Sequence, residues 1–286
     1  MAQYLNPKND LTFKRVFGEH KHLCISLLNS LLPFDEAQQI VDVSYETGEL
    51  VPELPNLKNT IVDVRCTDVT GRQFIVEMQM SWTDSFKQRV LLNASKAYVK
   101  QLDKAKDYVL LQPVYVLNLV CHIFDKTKGR EHSYYHHYKI VNIFDTQQQI
   151  KGLEFVFIEL PKFRPEGRAE RKLRELWLRF LTEVDESTSA APADLLENAE
   201  IHEALGYVER GAYTKEQLDA YDKYRDAILV ESTLLNETAQ KNFAKGKQEG
   251  RQAEKRDVAK NMKSLGISIA QISAATGLLH DEIERL

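Results

Sequence analysis

The sequence predicts an α/β sandwich followed by a mainly α-helical C-terminal region, and three features predict it. Thr60 to Met80 consists of two short alternating runs joined by a tight turn, the pattern of a β-hairpin. Asp84 to Lys104 has the spacing of an amphipathic helix, and Val114 to Ile123 is a near-continuous apolar run that suits a central strand buried on both faces. Beyond Pro161 the texture changes to charged, helix-forming sequence.

The elements follow in order. Asn6 to Gly18 reads as a cap, a short helix and a glycine stop: Asn9 or Asp10 can cap it, and Phe13, Val16 and Phe17 form its apolar stripe. His20 to Leu32 reads as a second helix ended by Pro33. Ile40 to Tyr45 reads as a short strand, joined to the hairpin by a connection around Pro52 and Pro55. After the hairpin, the helix over Asp84 to Lys104 carries Phe86, Val90, Leu91, Ala94 and Tyr98 on one side. Lys87, Arg89, Lys96, Lys100 and Lys104 lie largely on the other. Tyr134 to Val141 and Leu153 to Leu160 read as further strands.

Arg168 to Glu183 is an amphipathic helix with Leu173, Trp177, Phe180 and Leu181 on its buried side, followed by a small, polar linker, Ser187 to Pro192. Tyr207 to about Met262 is helix-rich, with Gly246 and Gly250 weakening the run by roughly 1 kcal/mol each relative to alanine. The last three pieces, Val258 to Leu265, Ile269 to Ala275 and His280 to Leu286, are separated by Gly266 and Gly277 and resemble a small helix-turn-helix unit. Such a unit can bind DNA or serve packing and oligomerisation; Asp281, Glu282 and Glu284 against one Arg285 would meet phosphates with the wrong charge, which favours packing. The expected division is a core over 1–165, a helical region over 166–256 and a helical tail over 257–286.

The hairpin carries the chemistry. In Asp68-Val69-Thr70-Gly71-Arg72 the glycine tolerates a left-handed backbone, which favours a three-residue loop with a bulge at Gly71 and sets Asp68 opposite Arg72. Counting inward brings Asp63 opposite Glu77, with Arg65 and Gln79 on the same face. Val62, Val64, Cys66, Phe74, Val76 and Met78 take the other face, and Ile75 is the one apolar residue on the polar side. Two carboxylates facing each other across a ladder are mildly unfavourable unless a cation lies between them, and one or two carboxylates with water and phosphate oxygens is how Mg²⁺ is usually held. A solvated hairpin face is the competing interpretation of the same residues.

Composition narrows the classes. A chain of 286 residues with 43% hydrophobic content is long enough for one good core and a second region. Its formal net charge of −4 gives no global basic field, so any nucleic-acid contact is local. Cys24, Cys66 and Cys121 are odd in number and sit in apolar runs, as buried thiols of a reducing cytoplasm do. No apolar run approaches the ~18–20 residues of a membrane span, and Met1 to Tyr4 lacks a signal-peptide pattern. A soluble cytoplasmic protein is expected. His132, His136 and His137 lie in a strand-like run where their spacing makes no compact metal clamp, and GxSxG, Walker A, GxGxxG and CxxC are absent from the sequence. Cys121 and His122 are neighbours in a strand and point to opposite faces, so they do not form a nucleophile–base pair.

The order of these elements resembles that of the PD-(D/E)xK nuclease superfamily, with its mixed sheet flanked by helices. Asp63 takes the place of the motif's aspartate and Glu77-Met78-Gln79 that of its (D/E)xK triplet. More closely, the chain resembles the bacterial Rpn family of recombination-promoting nucleases and transposases. The resemblance is carried by Asp10 to Gly18, Val62-Asp63-Val64, Glu77-Met78-Gln79-Met80, Arg89 with Tyr98 and Gln101, Tyr108 with Pro113-Val114-Tyr115, and the glycine-interrupted helix and tail. It implies a divalent-metal-dependent DNA endonuclease in which Asp63, Glu77 and the Met78 carbonyl hold Mg²⁺ or Mn²⁺, with Asp10 a candidate further ligand or orienting group. Gln79 stands where the superfamily has lysine; Rpn-like proteins share this glutamine, a neutral amide that positions by hydrogen bonding rather than by charge. Arg89, Lys96 and Lys100, with Tyr98 interleaved, form a candidate track for DNA phosphates, and the same residues equally suit a solvated helix face. The cleavage would serve recombination, mobile elements or defence against foreign DNA, and the helical C-terminal region would carry homo-oligomerisation. The competing class is a nuclease-fold DNA-binding or assembly protein with feeble or no catalysis, which Gln79 keeps open.

Overall fold

A computed structural model describes residues 4–45, 64–80, 82–103, 107–165 and 173–286. Helix α1 (Asp10–Phe13) is capped by Asn9, whose side chain accepts from the Leu11 amide, and runs on into a π-turn, Lys14–Gly18. Helix α2 (Lys21–Leu31) follows, then strand β1 (Val43–Tyr45). Strands β2 (Val64–Asp68) and β3 (Gln73–Gln79) form the expected hairpin. The Asp68 amide donates to the Arg72 carbonyl at 3.0 Å, Gly71 has φ of 88°, and the Asp68 carboxylate accepts from Thr70 and Arg72, so the turn is closed by its own side chain. Val64 pairs with Val76 and Cys66 with Phe74, the register counted from the turn.

Helix α3 (Phe86–Lys100) leads to strand β4 (Val114–Val120), then β5 (Tyr135–Asn142) and β6 (Asp145–Glu159). The described strands form one mixed sheet in the order β1-β2-β3-β4-β6-β5. Pairing is parallel from β3 to β4 and from β4 to β6 and antiparallel elsewhere. Strand β6 is far longer than expected, because its first half pairs with β5 as a two-stranded ribbon beyond the end of β4.

Helices α4 (Leu173–Glu183), α5 (Ala193–Leu196) and α6 (Ala199–Val208) follow. They lie with α1 and α2 on one face of the sheet, over a core containing Phe17, Leu27, Cys66, Phe74, Val76, Met78 and Trp177. On the other face α3 buries Ile75, Val116, Val120 and Phe157 under Phe86, Val90, Ala94 and Ala97. The apolar side of the hairpin is therefore core as expected. Its polar side is core as well, not solvent. Leu91, expected on the buried side of α3, is 49% exposed, because that stripe runs through Asn93 and Ala97 instead.

The described residues divide into two compact units, Met1–Asp226 and Ala227–Leu286. Helix α7 (Lys215–Ser264) begins in the first and forms most of the second, passing through Gly246 and Gly250 without a break. In the second unit, α8 (Ile269–Thr276) and α9 (His280–Glu284) close a small core of Ala259, Ile272, Leu278 and Ile283, so the helix-turn-helix-like pattern does fold as three packed pieces. No helix among the described residues is long and apolar enough to cross a membrane.

Candidate active site

Strand alternation sends Glu77 toward α3, into the layer that holds Ile75, and leaves it 4% exposed. A carboxylate there needs a polar partner, and α3 supplies one: Asn93, 1% exposed within an otherwise apolar stripe, donates from Nδ2 to Glu77 Oε1 at 3.2 Å. Burial pushes the Glu77 carboxyl above its ordinary range, opposed by the positive charge of Arg89 and by the Asn93 hydrogen bond. The next strand adds a second amide. Asn118 of β4 is the parallel register partner of Glu77, fully buried, and shares the α3-facing side with Val116 and Val120. Its Nδ2 donates to the Val156 carbonyl at 3.1 Å. The side-chain oxygens of Asn93 and Asn118 are both buried without a hydrogen-bond partner.

Gln79, two residues beyond Glu77, marks the end of β3. Its Oε1 accepts from Arg89 Nη2 at 2.5 Å, and the Arg89 guanidinium lies 4.9 Å from the centre of the Phe86 ring. The structure thus brings Glu77, Gln79 and Arg89 together with two residues that periodicity alone did not single out. Both had a visible signal: Asn93 interrupts the buried stripe of a helix, and Asn118 is the one strongly polar side chain in the run Val114 to Val120.

The other expected site residues are placed as follows. Asp63, the expected partner of Glu77, lies outside the described residues. Met78 points its side chain into the opposite core, so that side chain takes no part in the site. Asp10 is engaged by Lys14 at 2.9 Å. Lys96 and Lys100 are exposed on α3, on the same helical stripe as Arg89. Tyr98 is half-buried over the ribbon, so close to Gly152 that a Cβ there would meet its ring at 3.5 Å. His136 and His137 are occupied by Glu159 and Glu154 at 2.8 and 2.9 Å, on opposite faces of β5.

The family model for PD-(D/E)XK nuclease family transposases matches residues 7–237. The chain belongs to that family. The match spans the whole sheet and places the hairpin, α3 and β4 inside the PD-(D/E)XK region, in keeping with the mixed sheet and flanking helices seen here. Searches of curated proteins and of solved structures return no match.

PD-(D/E)XK nucleases generally use divalent metals, and the donors here can be tested against that. Among the described residues no three His, Cys, Asp or Glu side chains come close enough to hold an ion by themselves. Among the described residues the side-chain candidates are a buried carboxylate and two buried amide oxygens without partners, all hard oxygen donors of the class that suits Mg²⁺ or Mn²⁺. The unpartnered Asn93 oxygen beside a desolvated carboxylate fits a cation better than it fits an empty core.

Proposed function

We propose that this PD-(D/E)XK protein is a divalent-metal-dependent DNA endonuclease that hydrolyses phosphodiester bonds. The observation that carries the proposal is the buried Glu77 carboxylate on β3, held by Asn93, whose own side-chain oxygen is buried without a hydrogen-bond partner. Glu77, the Met78 carbonyl and Asp63 would hold the ion, Mg²⁺ or Mn²⁺. When bound, it supplies an activated water and charge stabilisation at the scissile phosphate.

The chain's own residues prepare the rest. Asn93 orients the Glu77 carboxylate by its amide, as partners of metal ligands commonly do. Gln79 holds its neighbour Arg89 at the strand end. Lys96 and Lys100, exposed along α3, align backbone phosphates without reading sequence, and Tyr98 braces the helix against the ribbon. Asp10 is assigned an orienting role for the first helix through Lys14. We place the activity in the bacterial cytoplasm, in recombination, mobile-element movement or phage defence. Self-association through the second unit is supported by the exposed Leu229, Val230, Leu234 and Phe243 of α7.

A plasmid-nicking assay tests the proposal. Wild type is expected to cleave only with Mg²⁺ or Mn²⁺, and Glu77→Ala and Asp63→Ala each to lower the rate about 100-fold or more. Gln79 in place of lysine favours a second function, a nuclease-fold DNA-binding or assembly protein. That one predicts DNA affinity with no metal-dependent cleavage, and no effect of Glu77→Ala on the background rate.

A further inference from the structure

A nuclease that builds negative charge on a phosphate needs a cation near the reacting atoms, and β3 offers none, because its last position is the neutral Gln79. A charge beside the strand end comes from the next element. Arg89 lies one turn into α3, with its side chain exposed, and its guanidinium is fixed at two points: by the Gln79 amide oxygen at 2.5 Å and by the Phe86 ring at 4.9 Å. Phe86 is itself fully buried and packed edge-on against Trp82 and Phe157, so the platform under the guanidinium is rigid. An exposed arginine held in this way keeps only part of its rotamer freedom, and its remaining N–H groups are directed by two constraints rather than one.

We propose that Arg89 is the cation of this active site: Gln79 and Phe86 hold its guanidinium at the end of β3, where it contacts the non-bridging oxygens of the DNA phosphodiester under attack. The inference rests on the nuclease function proposed above and deepens it. Gln79 is then a positioning residue rather than a weak substitute for lysine. The positive field of Arg89 reaches the Glu77 carboxylate, which places the guanidinium within electrostatic range of the candidate metal ligand. A planar guanidinium also suits a phosphate better than an ammonium does, since it can offer two parallel N–H bonds. Arg89 is thereby separated in role from Lys96 and Lys100, for which no such tether to β3 is seen among the described residues.

The test moves the charge back to the strand. Single-turnover cleavage of a DNA duplex at saturating protein with Mn²⁺ is compared for wild type, Arg89→Ala, Arg89→Lys and the double variant Gln79→Lys/Arg89→Ala. Duplex affinity is measured in EDTA across salt, and folding is checked by circular dichroism and melting. Arg89→Ala is expected to lose about 100-fold or more in rate while its affinity in EDTA falls by less than about threefold. The double variant is expected to recover at least about tenfold over Arg89→Ala, because a lysine at 79 puts an ammonium where the guanidinium was. Arg89→Lys, which keeps the charge but not the fork, is expected to fall between wild type and Arg89→Ala.

If Arg89→Ala leaves the saturated rate unchanged and instead weakens binding with a shallower salt dependence, Arg89 is a backbone contact and the inference fails while the nuclease function stands. If Arg89→Ala and the double variant both fold and are equally slow, charge is not what Arg89 supplies, and the inference again fails alone. A wild type that does not cleave with either metal overturns both.

Discussion

At the scale of single residues, Glu77 is a costly group to bury. A carboxylate 4% exposed, with one amide donor and the field of an exposed arginine, has lost most of its hydration for partial compensation. Sites of this kind trade stability for function. Glu77→Gln keeps the shape, removes the buried charge and offers an N–H to the unpartnered Asn93 oxygen. We expect it to raise the melting temperature of the metal-free protein by about 2–4 °C, roughly the effect of 1 kcal/mol in a chain of this size, while abolishing cleavage. Thermal melts in EDTA check this, and a melting temperature lower than wild type's would count against Glu77 being a strained functional group. The face that Glu77 occupies was legible from alternation. Asn93 was visible as a polar break in the buried stripe, but its pairing with Glu77 was not, because a helical stripe names the side of α3 that is buried without naming what lies opposite.

At the scale of elements, the start of α3 is held by a buried ionic lock on the far strands. Glu159, fully buried at the end of β6, accepts from the Phe124 and Asp125 amides at 2.6 and 3.0 Å and from Lys162 and His136, each at 2.8 Å. The lock fixes Phe124, which stacks on Trp82 at 4.5 Å, and Trp82 packs on Phe86, the platform for Arg89. Burial alone would raise the Glu159 carboxyl; Lys162, the two amides and His136 outweigh it and hold the group below its usual 4.5. A depressed folded value means that the stabilisation is present above the unfolded value and disappears as pH falls through the folded one. Glu159→Gln removes the carboxylate that directly pairs with buried Lys162 and is expected to cost about 3–5 kcal/mol near neutral pH. In urea unfolding the difference from wild type should narrow once pH drops below about 4.5. A constant gap down to pH 3 would show that the lock contributes nothing electrostatic. The lock was not visible in the sequence, where the His-rich run of β5 lies on a different strand, 23 residues from Glu159 for His136, and neither segment says that they pair.

At the scale of the whole molecule, the site residues described here all belong to the unit Met1–Asp226, and the family match runs from 7 to 237. The second unit has a core of its own around Ala259, Ile272, Leu278 and Ile283 and an acidic last helix. A chain ending at Asp226 is therefore expected to keep metal-dependent nicking within about threefold of wild type, because the electrostatic groups of the site are all retained. It is also expected to lose self-association, read by sedimentation velocity. Loss of nicking with an unchanged melting temperature would place part of the active site outside the first unit.

The sequence by itself determined the local facts: the Asp68–Gly71 turn, the register of β2 on β3, the faces of Val76, Glu77 and Met78, and the helical character of α3 and α7. These follow from a two-residue period, a 3.6-residue period and one left-handed glycine, all of which act over a few residues. Tertiary structure alone decided what covers each face. The polar side of the hairpin became a second core because α3 lies over it, Asn93 came to donate to Glu77, Asn118 came into register with it on β4, and Arg89 came to rest on Gln79. Periodicity states which way a side chain points; only packing between distant segments states what it meets there.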